Sequence, residues 1–285
     1  MYEQWHSLLG GFLMKKIALI MLAAVLAMSL AACSNGGEEE TDNAINDYIA
    51  PSYTHKTETG TLSFADGVGE TAIITDYVGA YTAHSVTIPA VISERDVVSI
   101  GNQAFYQCAA ITAITLPDSL VTIEDWAFAA CTNLETIVIP ASVTSIGDYA
   151  FQGCTSLKSV VFLGTELESI GNFAFNDCVA LETIALPEGL ESIGNQAFGD
   201  CKALTAITAP STLKSIGSLA FADCASLNAN GALKLSASIE EIGEFAFAGI
   251  NKKYISAPEG SYAANYVSEM ADMEEQSSES ASDTE

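Results

Sequence analysis

Positive charge is what this chain has least of. Its 285 residues hold 10 Lys and Arg against 36 Asp and Glu, a formal net charge of -26. A surface this acidic repels phosphate backbones and anionic headgroups, which argues against nucleic-acid binding and electrostatic docking on lipid. Histidine is scarce as well, with three residues in all. His55 and His84 stand ahead of the repeats described below with no Cys or Asp pattern beside them, and read as surface or cap residues. G-x-S-x-G, H-E-x-x-H and the P-loop are all missing, and with them the common signatures of acyl transfer, zinc hydrolysis and phosphoryl transfer. "GVGETA" from Gly67 partly matches a dinucleotide fingerprint, but strand-like "AIIT" follows where a helix is required, so a hairpin turn is expected. No carboxylate recurs as a secluded pair of the kind acid–base catalysis uses. The reading is of a non-enzyme without metal or cofactor.

Long apolar runs are also lacking. The longest, Ile17 to Ala32, follows Lys15 and Lys16 and is shorter than the roughly 20 residues a membrane-spanning helix needs. A charged start, an apolar middle and a small-residue end fit a secretory signal over residues 1–32, with Met14 the more plausible start. The alternative is an uncleaved single-pass anchor. Leu30-Ala31-Ala32-Cys33 resembles the lipobox of bacterial lipoproteins. That resemblance implies a lipid on Cys33, export, and anchoring to the outer face of a membrane without spanning it. Residues 33–60, opening "CSNGGEEETD", read as an acidic tether. Residues 269–285, with seven acids and no base, read as a disordered Ser-rich tail.

What the chain has in abundance is repetition. Phe105, Phe128, Phe151, Phe175, Phe198, Phe221 and Phe247 each follow an Ala, at spacings of 23, 23, 24, 23, 23 and 26. Five residues before each stands Ile100, Ile123, Ile146, Ile170, Ile193, Ile216 or Ile242. Three residues after each come Cys108, Cys131, Cys154, Cys178, Cys201 and Cys224, with Ile250 in the seventh copy. Pro117, Pro140, Pro187 and Pro210 close the second strand of four copies, since proline cannot donate to a ladder. With hydrophobic residues at 49%, a large core is affordable only by stacking, because one such unit cannot close a core alone.

Each unit reads as a short strand such as "VTSI", a Gly turn, an Asn or Asp (Asn102, Asp125, Asp148, Asn172, Asn195) of the type that caps a helix, one or two helical turns to the Cys, and a second strand. The fold class is thus an α/β repeat solenoid, a right-handed superhelix of about 23-residue coils stacked at roughly 5 Å per step. The expected organisation is an N-terminal cap and first coil over 61–96, the solenoid over 97–257 and a C-terminal cap over 258–268. The units resemble the BspA-like, or Treponema-type, leucine-rich repeats of bacterial surface proteins across about Ala72 to Tyr266. The resemblance implies an extracellular interaction or adhesion role, with an extracellular or cell-surface protein, or a glycan, as partner of a monomer. The other reading is a passive spacer of the envelope with no specific ligand.

The six repeat cysteines invite three readings. A zinc site needs four ligands at about 2.3 Å from one point, and equivalent sulfurs on stacked coils lie about 5 Å apart in a line. Disulfides suit an exported protein, yet side chains in a ladder point in parallel. A packing ladder of buried thiols is the favoured reading, because Ile250 takes the same position. Three surface columns remain. Outward strand residues Thr115, Val138, Val161, Ala185 and Thr208 make an uncharged face, either binding or inert. Two residues before each Phe lie Gln103, Trp126, Tyr149, Phe173, Gln196, Leu219 and Phe245, expected on the convex side. There Trp126, Tyr149 and Phe173 form either a hot spot or a shield over the helical turns. Asp177, Asp200 and Asp223 stack as solvated carboxylates or as a shared cation site.

Overall fold

The computed structural model describes residues 52–82, 84–229 and 233–270. Cys33, the apolar run before it and the tail from 271 lie outside the described residues. The chain opens as an antiparallel hairpin of β1 (Ser52–Lys56) and β2 (Gly60–Asp66), with β3 (Thr71–Gly79) paired antiparallel to β2. β1 falls within the stretch 33–60 read above as tether, so the ordered cap begins earlier, because Tyr53 and its neighbours pair in register with β2. β4 (His84–Thr87), β5 (Val91–Ile92) and β6 (Arg95–Ile100) complete the first coil.

From β3 onward each coil adds its strand parallel to the last. β3 pairs with β6, and β6 leads a column of two-residue strands: Thr122–Ile123, Ser145–Ile146, Ser169–Ile170, Ser192–Ile193, Ser215–Ile216 and Glu241–Ile242. Eight parallel rungs result, a β-solenoid of about eight turns. The second strands form a five-stranded sheet from β4 to Thr183–Ile184 and a three-stranded one from Ile207–Thr208 to Ile255–Ser256. Residues 262–270 form a helix against the last coil, with Tyr266 and Val267 packed on the core.

The expected helical turn is absent, and its backbone shows why. In the first full coil Ala104 N–H donates to Gly101 O at 3.2 Å, Tyr106 to Gln103 at 2.9 Å and Cys108 to Phe105 at 3.2 Å. The intervening amides leave the coil: Gln103, Phe105 and Gln107 donate to the carbonyls of Asp125, Ala127 and Ala129 at 3.1, 2.8 and 2.8 Å. An α-helix keeps all its bonds internal. Here half of them tie one coil to the next, so the segment is three linked β-turns.

Two residues per coil hold a left-handed backbone to make this possible, as the third position of a type II turn requires. They are Gln103 and Gln107 (φ 59 and 58°), then Trp126 and Ala130 (58 and 57°), Tyr149 and Gly153 (59 and 69°), Phe173 and Asp177 (56 and 58°), and so on up the stack. The residues read as helix caps serve the axis too. Asp148 N–H donates to Asp125 Oδ1 at 2.8 Å, Asn172 to Asp148 Oδ1 at 2.6 Å, Asn195 to Asn172 Oδ1 at 2.8 Å and Ser218 to Asn195 Oδ1 at 2.8 Å. The glycine that follows six of the seven Ile residues, with Glu124 standing in its place after Ile123, serves close approach rather than positive φ. A Cβ on Gly194 would lie 2.6 Å from Asn172 N of the coil below.

This geometry makes a testable distinction. Gly153 is left-handed with room around it, the nearest atom to an added Cβ being Ala130 Cα at 3.9 Å. Gly153→Ala therefore costs about 1 kcal/mol from the backbone alone, and Ala130→Gly at the equivalent position gains a similar amount. Urea unfolding of the two variants should shift the midpoint in opposite directions.

Candidate binding surfaces

The coil is read outward from its axis. At the centre lies a column of stacked rings. Phe105, Phe128, Phe151, Phe175, Phe198 and Phe221 follow at centroid distances of 5.1, 5.2, 5.1, 5.3 and 5.2 Å. Tyr77 stacks on its lower end at 5.2 Å and Tyr266 meets Phe247 edge-on at its upper end, at 6.0 Å. Tyr77 Oη lies 2.9 Å from His84 Nε2, so His84 is a cap residue as expected.

Beside the rings runs the cysteine column, all six members buried. Each thiol from the second coil on points at the phenylalanine carbonyl one coil below. Cys131 Sγ donates to Phe105 O at 3.1 Å, Cys154 to Phe128 at 3.2 Å, Cys178 to Phe151 at 3.3 Å, Cys201 to Phe175 at 3.2 Å and Cys224 to Phe198 at 3.1 Å. None of these five is bridged to another. A thiol in this place fills an apolar slot and gives a second, weak donor to a carbonyl that already accepts its own turn's amide, as Phe105 O does from Cys108 N–H at 3.2 Å. Burial removes its proton-losing option: the Cys154 and Cys224 thiols are pushed up to about 12, and those of Cys131, Cys178 and Cys201 are held well above the ordinary range. Such thiols are poor nucleophiles and poor metal ligands.

On the outside, the turn corner brings Trp126, Tyr149 and Phe173 together. Their rings stack at 4.2 and 4.7 Å with planes 8 and 5° apart. All three are half-buried, each covering its neighbour's face. Tyr106 extends the strip edge-on to Trp126 at 6.1 Å. Sequence reasoning missed it, although the residue after each column Phe is otherwise small or an amide, which is the signal that marks Tyr106 out. Gln196, Leu219 and Phe245 continue the column above.

The strand face is where the alternation put it. Thr115, Val138, Val161, Ala185 and Thr208 are all exposed, with Val138 and Val161 in register on adjacent strands. Leu163 adds to this apolar spot, 59% exposed where other coils have proline. Asp177, Asp200 and Asp223 occupy the second left-handed position of their coils, and Asp200 pairs with Lys202 at 3.3 Å. Among the described residues no three His, Cys, Asp or Glu side chains converge as a metal site would need. A polar groove of about 420 Å³ lies beside the β1–β2 turn and β4, lined by His55, Glu58, Thr59, Ser85 and Thr87 among others.

A family model for the BspA type leucine rich repeat region matches residues 77–203 and 161–267, with six copies of the repeat. The chain belongs to that family. The BspA-type repeat here is similar to the crystal structure of a T. pallidum leucine rich repeat protein, at 32% identity and a TM-score of 0.58, covering 63% of this chain and 81% of that one. A leucine rich cell surface protein from Faecalibacterium prausnitzii A2-165 is 21% identical over 75% of this chain and 78% of its own, with a TM-score of 0.48. No functionally curated protein matches. The repeat solenoid is thus of the kind that serves as a scaffold for protein–protein contact, and none of the described helices is long and apolar enough to cross a membrane.

The buried thiols carry a pH signature. Their protonated form is the one the fold accepts, so their contribution is intact below the unfolded-chain value of 9.0 and is lost as pH climbs toward the folded value of about 12. Stability should fall by up to about 1.4 kcal/mol per pH unit for each such thiol across that window. Thermal unfolding measured from pH 8 upward in the Cys154→Ala/Cys224→Ala variant should show a flatter decline than the parent.

Proposed function

We propose that this protein is a lipid-anchored, non-catalytic surface module that binds an extracellular protein through its solenoid. The observation that carries the reading is the aromatic strip. Trp126, Tyr149 and Phe173 are held stacked and half-buried at one corner, and large aromatic residues dominate binding energy where interfaces have been dissected. The strand face, with Thr115, Val138, Val161 and Thr208, supplies a second, flatter contact. Its lack of charge is also what favours the alternative, a passive spacer without a ligand. The left-handed backbone of the three aromatics is no argument for function, because Gln103 and Leu219 share it. It belongs to the coil.

Anchoring rests on Cys33 and on the lipobox-like residues before it. The signal would be removed and the acidic stretch after Cys33 would hold the solenoid off the membrane.

Two measurements test this. Leu219 shows that the turn accepts leucine in this column, so Trp126→Leu/Tyr149→Leu/Phe173→Leu keeps the fold while removing the rings. Adhesion of cells displaying that variant to extracellular-matrix proteins should drop by at least about tenfold, since single hot-spot residues are worth 2 kcal/mol or more; undiminished adhesion refutes the strip. Mass spectrometry of the membrane-extracted chain should find a mature N-terminus at Cys33 with lipid attached, and any other terminus removes the anchor.

A further inference from the structure

The strip's geometry and its charge together specify what kind of partner it takes. With planes 8 and 5° apart at 4.2 and 4.7 Å, the rings of Trp126, Tyr149 and Phe173 occupy one another's faces. Tyr106 meets Trp126 edge-on and covers part of the remaining end. Tyr149 thus has both faces covered and offers only its rim, and Trp126 and Phe173 each have one face covered. A cation caught over a ring, or a sugar laid against one, needs an open face. A rim is apolar and slightly positive, and it packs against aliphatic carbon.

The charges around the strip are of one sign. From Asp96 to Cys201 there are 13 acidic residues and one basic residue, Lys158. Lys158 is committed to Glu135 at 3.0 Å. In sequence, Asp125 and Asp148 immediately precede Trp126 and Tyr149, Glu124 stands beside Asp125, and Asp177 follows Phe173 by four residues. Asp125 Oδ1 accepts from Asp148 N–H at 2.8 Å, and Asp148 accepts from Asn172 N–H and Nδ2 at 2.6 to 3.2 Å; these donors are neutral amides and leave both charges uncompensated.

We infer that the strip binds a basic segment of a protein partner, in which Lys or Arg lay their aliphatic stems along the ring rims and place their charged ends at Asp125, Asp148 and Asp177. Long cationic side chains bury their stems on apolar surface while the head stays with a counter-charge. This deepens the protein-binding reading above and rests on it. It also excludes glycan stacking on the middle ring, Tyr149, both of whose faces are covered.

The chain contains the control for its own test. Asn172 takes the place of Asp125 and Asp148 in the next coil and still accepts the axial amide, from Asn195 at 2.8 Å, so Asp→Asn at the earlier positions keeps the ladder and removes the charge. The probe is a short peptide of alternating Arg and Leu, titrated into the mature chain in detergent. In the chain processed to Cys33 Trp126 reports directly, because the other tryptophan, Trp5, lies ahead of the signal-like run and leaves with it. Binding should change Trp126 fluorescence, weaken with added salt, and weaken about tenfold in Asp125→Asn/Asp148→Asn/Asp177→Asn, as three modest surface charge pairs would give. It should be lost in the triple leucine variant described above.

Three results overturn the inference. The first is no response to the Arg/Leu peptide. The second is equal binding by either triple variant. The third is a fluorescence response to the matching Glu/Leu peptide or to a chito-oligosaccharide. Equal binding by the Asn variant with loss in the leucine variant would leave the strip standing as a contact and remove its preference for basic partners. Loss of adhesion alone is read separately by the cell assay.

Discussion

Everything in this protein depends on the sideways backbone hydrogen bond. A coil of about 23 residues is too short to enclose a core, and it has no helix in which to hide its amides. It therefore spends alternate amides of its turn segment on the carbonyls of the next coil, at 2.7 to 3.1 Å throughout the column. That demand fixes the period, since a coil one residue out of register would turn each donor away from its acceptor. Coils that deviate take their extra residues elsewhere. The 26-residue spacing before Phe247 still lets Phe221 N–H reach Ala246 O at 2.8 Å.

Register, once imposed on the backbone, is inherited by the side chains. Equivalent residues come to lie about 5 Å apart, which is stacking distance for aromatic rings, and the same step sets each thiol 3.1 to 3.3 Å from the Phe carbonyl of the coil below. The phenylalanine column, the cysteine column and the Asp/Asn column are three expressions of one constraint. The ends show the same logic. A stacked column has two open faces, and here Tyr77 and Tyr266 close them, each with its hydroxyl satisfied, Tyr266 by the Gly243 carbonyl at 3.0 Å.

The period, the buried columns and the inertness of the cysteines were legible because each rests on repetition: Ile250 in the cysteine column already says that the position wants apolar volume. The helical turn was misread for an equally physical reason. Asn or Asp followed by Ala-Phe is what a helix start looks like, and nothing in residue type announces that Trp126, Tyr149, Phe173 and Leu219 adopt a left-handed backbone that such residues ordinarily avoid. The glycines misled in the complementary way. They suggested a turn that needs backbone freedom, and the structure uses them where coils pass closely. Tyr106 was overlooked because its signal is a departure from the repeat, a large ring where the equivalents are small or amides, and a repeat-based reading looks for what recurs.

That last point bears on function. Core columns have no freedom, since every member answers to neighbours above and below. The outer corner has some, and within this chain it runs Gln, Trp, Tyr, Phe, Gln, Leu, Phe over a backbone that does not change. A binding surface on such a scaffold is written by which residues occupy the unconstrained column, with no cost to the fold. Three of its four aromatic members fall on consecutive coils, in the part of the chain where basic residues are nearly absent, and the extra tyrosine joins them there. Stacking then does what it does in the core, holding the rings rigid. In the core that rigidity serves stability. At the corner it presents a preorganised rim, so that a partner need not pay to order it.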